Sequence, residues 1–224
     1  MEMTEAELRA SGSDRSRMAL QDRTDSNKQE RQMQKYSMDR GRSSSAVSSV
    51  SSGQCATAHL VEHWEVEPRP RRLTAGRFRD LSPSFSVLEF QRRRVWCYAT
   101  VGMDGGIEAF LVTPEENSRA VEFLYSLTHF HRTGAPVGLG HTVYFGDDLW
   151  DGSGLDHGFL SFPYIEAPGF ESFECGDVRT DIAWLIPITA AERNYKKENG
   201  VEALETLFEE HSLDYLNPSR ASLV

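Results

Sequence analysis

Residues Asp181 to His211, DIAWLIPITAAERNYKKENGVEALETLFEEH, leave the backbone few local choices. Ile182-Ala183-Trp184-Leu185-Ile186 is a short apolar run, too continuous for one face of a surface helix, and predicts a buried strand. Pro187 has no N–H to give to a ladder, so the strand ends there or lies at an edge. Thr189 and Glu192 have the spacing of a capping box: the hydroxyl accepts from the backbone N–H three residues on, and the carboxylate reaches back. That pair starts a helix at Ala190. Gly200 interrupts or kinks it, after which Val201, Leu204, Leu207 and Phe208 share one face. The unit is a strand feeding a capped helix, and it carries no chemistry of its own.

Earlier elements follow from the same kinds of signal. Val95–Met103 is rich in β-branched and aromatic residues and predicts a core strand; Asp104-Gly105-Gly106 turns it into a second strand, Ile107–Val112. Thr113-Pro114-Glu115-Glu116 has a cap residue, a first-turn proline and an acidic third position, predicting a helix that runs to about His131 and faces Val121, Leu124 and Leu127 inward. Short strands are expected near Phe85–Phe90, at His141–Phe145 and at Phe159–Tyr164, with a hairpin Phe170–Glu174 to Val178–Ile186 around Gly176-Asp177. No β–α–β alternation is sustained. The fold class is α+β, a mostly antiparallel or mixed sheet with two principal helices.

Residues 1–55 are rich in Ser, Arg and Gln, with the tract SSSAVSSVSSGQ, and cannot bury enough apolar surface to offset the entropy of ordering. They read as a disordered tail, or as an upstream start that extends the real domain, and residues 56–224 as the domain. ATAHLVEHWE, from Ala56 to Glu65, reads as a short helix leading into it.

The charge is uneven. Residues 100–224 hold 21 Asp and Glu against 7 Lys and Arg, a balance of −14, while residues 51–99 balance at +3 and residues 1–50 at +1. An acidic field of that size disfavours nucleic acid and anionic membrane and favours basic partners, although acidity also serves solubility. Arg92-Arg93-Arg94 is accordingly read as a solvated strand entry, not a nucleic-acid patch. The cysteines, Cys55, Cys97 and Cys175, are odd in number and widely spaced, and read as free thiols of a reducing compartment. No apolar run approaches a membrane span and no signal-peptide core opens the chain, which makes it cytoplasmic by expectation.

The richest polar cluster is the loop Gly146–His157, with Asp147, Asp148, Trp150, Asp151, Asp156 and His157 as candidate partner-binding residues. Its spacing does not suit calcium, since Leu149 stands where a ligand is wanted and Gly158 where a bidentate glutamate should be. Ser153 lacks the G-x-S-x-G surroundings of an activated serine. His129 and His131, two apart on a helix, point to different faces and read as surface residues. No catalytic constellation, metal or cofactor is expected.

Several segments together resemble the suppressor-of-fused domain family. They are Val95-Trp96-Cys97-Tyr98-Ala99-Thr100-Val101-Gly102-Met103, Glu108–Val112, Gly152–His157 leading into Phe159–Tyr164, and Trp184–Thr189 with Glu192 and Tyr195. Asn217-Pro218-x-Arg220-x-Ser222 closes the set. The resemblance covers about Trp64 to Val224. It implies an α+β domain that binds protein without catalysis. Animal members restrain a transcription factor in Hedgehog signalling, using this domain together with a second, C-terminal one that this sequence does not include. Single-domain bacterial members are similar to immunity proteins of toxin systems, which implies a basic toxin domain as partner. The alternatives are a signalling or scaffold module that binds a regulatory protein, and an enzyme using Ser153, Cys97 or Cys175.

Overall fold

A computed structural model of the protein describes residues 51–73, 78, 81, 83 and 85–224. The expected disordered tail lies outside the described residues as far as residue 50. Among the described residues the helices are α1 (Ser52–Trp64), α2 (Ser118–Thr133), α3 (Ala190–Asn199) and α4 (Val201–Glu210). The strands are β1 (Arg69–Arg71), β2 (Ser86–Arg92), β3 (Val95–Val101), β4 (Ile107–Thr113), β5 (Thr142–Tyr144), β6 (His157–Ser161), β7 (Ser172–Cys175) and β8 (Val178–Ile188). The class is α+β with a mixed sheet.

The sheet has the order β1-β2-β3-β4-β8-β6-β5, with β7 also on β8. β8 holds it together. Its first residues pair antiparallel with β7, Asp181–Trp184 run parallel to β4, and Trp184–Ile188 pair antiparallel with β6. Both faces are covered, which is why β3, β4 and β8 read as continuous apolar runs and not as alternating ones. Along β4, Ala109 and Leu111 point to one core with Val121, Leu124 and Leu127 of α2, while Phe110 and Val112 point to another with Leu60 and Trp64 of α1 and Leu204 and Phe208 of α4. Each such large side chain, fully buried, stabilises the fold by roughly 1.5–3 kcal/mol.

Pro187 lies inside β8, not at its end. Beyond Trp184 the strand has left β4, so only β6 pairs it there. The Pro187 carbonyl accepts from Arg220 on the open side, and the missing N–H faces the same unpaired side. Opposite it, Gly158 has no room for a side chain: a Cβ would stand 2.5 Å from Leu185 and 2.7 Å from Phe145.

The Thr189–Glu192 capping box forms as its spacing predicts, and Gly200, at φ 96°, separates α3 from α4. The helix predicted to open at Thr113 instead opens at Ser118. Thr113 is held in the ladder opposite Trp96, and the cap passes to Asn117, whose side chain accepts from Arg119 N. Sheet pairing outweighs the local cap. α1 begins at Ser52, ahead of the expected Ala56, because Ser51 and Gln54 at the end of the serine tract form a capping box.

Two of the three cysteines are not free, contrary to the expectation from spacing. Cys55 of α1 and Cys175 of β7 form a disulfide across a sequence separation of 120, with Cα atoms 5.8 Å apart. Cys97 remains a buried thiol, pushed up to about 11 by that burial. No helix among the described residues is long and apolar enough to cross a membrane.

Candidate functional site

The acidic loop between β5 and β6 is a tied structure. Leu149 and Leu155 are buried beneath it, and Leu149 N donates to Leu155 O at 3.1 Å. The start of α2 fastens it from outside: Asn117 Nδ2 donates to Leu149 O and Arg119 Nη1 to Asp148 O, at 3.1 and 2.7 Å. Within the loop, Asp148 Oδ2 accepts from Gly154 N and Ser153 Oγ from Leu155 N.

The six candidate residues therefore divide. Asp147 and Asp151 are exposed, Asp151 in an ion pair with Arg119 at 2.6 Å. Asp148 is half-buried and braces the loop, and Trp150 is half-buried against the α2-side core. Asp156 is half-buried and 2.6 Å from Nδ1 of His157, which is itself buried. Only the first two face outward without reserve.

Spacing could not reveal what lies beside the loop. β5 pairs with β6 alone, so its outer edge carries no strand among the described residues. Tyr144 on β5 is 62% exposed, opposite His157 in register, with ring centres 4.9 Å apart. Residues paired across a ladder share a face. At the far end of β6, on the same face, Ser161 donates to Glu205 of α4 at 2.6 Å, and Phe162 and Tyr164 then stand exposed, 5.1 Å apart. Partial burial and the carboxylates of Glu205 and Glu209 raise the Tyr164 phenol above its ordinary value. The result is an open sheet edge flanked by exposed aromatic rings and carboxylates.

Several other titratable groups serve the scaffold. Glu108 is almost fully buried, and burial pushes it up to about 7 despite bonds from Thr100 Oγ1 (2.6 Å), Gly102 N (2.7 Å) and Met103 N (3.1 Å). These fix the β3–β4 turn from inside, while Arg132 pairs with Asp104 at 2.7 Å and donates to the Gly102 carbonyl from outside. His131, expected at the surface, is buried against this turn and accepts from Val137 N through Nδ1, and burial lowers its pKa. Among the described residues no group of three His, Cys, Asp or Glu could hold a metal ion.

Comparison with known proteins places this architecture. No curated protein matches the chain. The structure is similar to that of a suppressor of fused homologue from Neisseria gonorrhoeae, at 29% identity and a TM-score of 0.70, over 77% of this chain and 97% of that one. It is similar in fold to a chain of the Sufu–Fu complex (12% identity, TM-score 0.57, 79% of this chain and 93% of that one). It is likewise similar to Drosophila Suppressor of Fused (10% identity, TM-score 0.59), covering 80% of this chain but 52% of that protein. The profile of the suppressor of fused protein (SUFU) family matches residues 104–221, which take in the Glu108 turn, the acidic loop, β8 and Arg220. The chain belongs to the suppressor of fused protein family.

Proposed function

We propose that this protein is a non-enzymatic binding domain that neutralises a cognate, basic toxin domain. One observation carries the reading: exposed aromatic rings, Tyr144 on the open edge strand β5 and Phe162 and Tyr164 just past the end of β6, stand among carboxylates on the most acidic part of the chain. Aromatic anchors supply binding energy, and complementary charge steers a basic partner onto them. Asp147 and Asp151 make the outward contacts, while Asp148, Trp150, Asp156 and His157 hold the loop's shape. The Sufu–Fu complex supports protein binding as the family's mode.

Cytoplasmic action belongs to the same proposal. In a reducing compartment Cys55 and Cys175 stand as neighbouring thiols, and α1 is held less firmly than with the bond formed.

The same complex favours a second reading, a scaffold that binds a regulatory protein. Affinity capture with the full chain from its own cells, read by mass spectrometry, separates the two. Recovery of a basic domain that is toxic when expressed alone, harmless with this chain and released by high salt supports immunity. A non-toxic regulatory partner gives the place to the scaffold.

A further inference from the structure

The arginine run at the β2–β3 turn is more than a solvated entry to a strand. It borders a cleft of about 820 Å3 that opens between the end of α1, this turn and the Ile165–Glu166 segment, with Tyr215 on its wall. That volume lies within the roughly 300–1,000 Å3 of ordinary ligand sites.

The three arginines differ. Arg92 is committed to the wall: it bonds Glu166 at 2.5 Å and lies 5.1 Å from the centre of the Trp64 ring. Arg93 and Arg94 are exposed at the cleft, and no described carboxylate pairs with either, although Glu65 lines the same space. Arg93 also sits at φ 49°, a left-handed position that hairpin loops normally give to Gly or Asn. Two unpaired cations thus face a cleft in a protein of net charge −10.

A second, independent observation lies deeper. Trp64 lines the cleft at 4% exposure, and its indole N–H has no partner among the described residues. Val95, Val112 and Ile165 add apolar surface beside it.

We propose that this cleft is a binding site for a small anionic ligand with an apolar body, a carboxylate or a phosphate monoester. Arg93 and Arg94 grip the anionic head, for which the guanidinium fork is suited. The body lies on the valine and isoleucine surface beside the Trp64 ring.

The test is a 1H–15N titration of the full chain with phenyl phosphate and, separately, 4-phenylbutyrate, with benzyl alcohol as the uncharged probe. Four tryptophans give four indole signals, and Trp64→Phe identifies the one concerned. We expect that signal to shift saturably with at least one anion and not with benzyl alcohol, the responding anion naming the head group. The exposed double variant Arg93→Ala/Arg94→Ala should weaken binding roughly tenfold or more, as loss of charge-assisted hydrogen bonds does. No saturable shift with either anion, an equal response to benzyl alcohol, or unchanged affinity in the double variant would each overturn the proposal.

Discussion

Arg220 lays its two terminal nitrogens on the two carboxylate oxygens of Glu192, at 2.6 and 2.8 Å, with both side chains buried. Glu192 is at once the third residue of the α3 capping box and the anchor of the C-terminal segment: it also accepts from Thr189 N and Leu223 N. One carboxylate therefore joins strand end, helix start and chain end. Arg220→Ala strands a buried charge and should cost about 3–5 kcal/mol, while Arg220→Met with Glu192→Leu, which removes both charges, should cost less than either single change. Urea unfolding of Arg220→Ala, Glu192→Leu and the double variant measures this. A double variant as weak as Arg220→Ala would contradict it.

Glu108 makes stability depend on pH. Its pKa is raised to about 7 in the folded chain from an ordinary 4.5, so between those values the native state keeps a proton that the unfolded chain has released. Its contribution is complete below pH 4.5 and is lost as pH rises through 7, a change of roughly 3 kcal/mol at about 1.4 kcal/mol per unit. Glu108→Gln cannot ionise. The stability of that variant relative to the parent should rise by this amount from pH 4.5 to pH 8 in urea titrations, and a constant difference would refute the assignment.

The Cys55–Cys175 bond closes a long loop, and its loss should cost roughly 2–4 kcal/mol. Apart from the chain that leads on to β1, the bond is the covalent tie of α1 to the sheet among the described residues. Dithiothreitol, or Cys175→Ser, should lower the thermal midpoint and open α1 to limited proteolysis before the sheet is cut. Identical melting with and without reductant would show that packing through Ala56, Leu60 and Trp64 suffices.

Once the partner is in hand, Asp147→Lys should weaken binding by about 0.2–1 kcal/mol and flatten its salt dependence, as exposed charges do. Asp148→Lys should do more, because that carboxylate also braces Gly154. Calorimetry at two salt concentrations separates these effects. Equal affinities for Asp147→Lys and the parent would remove the outer loop from the interface.

What could be read in advance was what the chain encodes locally. The Thr189–Glu192 cap, the break at Gly200 and the apolar runs of β3, β4 and β8 depend on neighbours within a few residues, and each stands in the structure. The cap at Thr113 misled because a ladder partner, Trp96, claims that residue from elsewhere in the sequence. Cys55 with Cys175 and Arg220 with Glu192 are joined only by topology, so spacing could not couple them. For the site, a run of aspartates is conspicuous in any reading. Tyr144, Phe162 and Tyr164 look like ordinary strand residues until the structure places Tyr144 on an edge strand and ends β6 at Ser161, which leaves the other two exposed.

The parallel pairing of β4 with β8 also sets an order of events during synthesis. A ribosome delivers β2, β3 and β4 as a finished meander while β8 does not yet exist. Until it does, Ile107–Phe110 offer an unpaired backbone edge with bare apolar surface on both sides, the kind of edge that neighbouring chains can add to. The nascent protein passes through an interval of exposure that ends only when its central strand arrives, and holdase chaperones should engage it in that interval and release it afterwards.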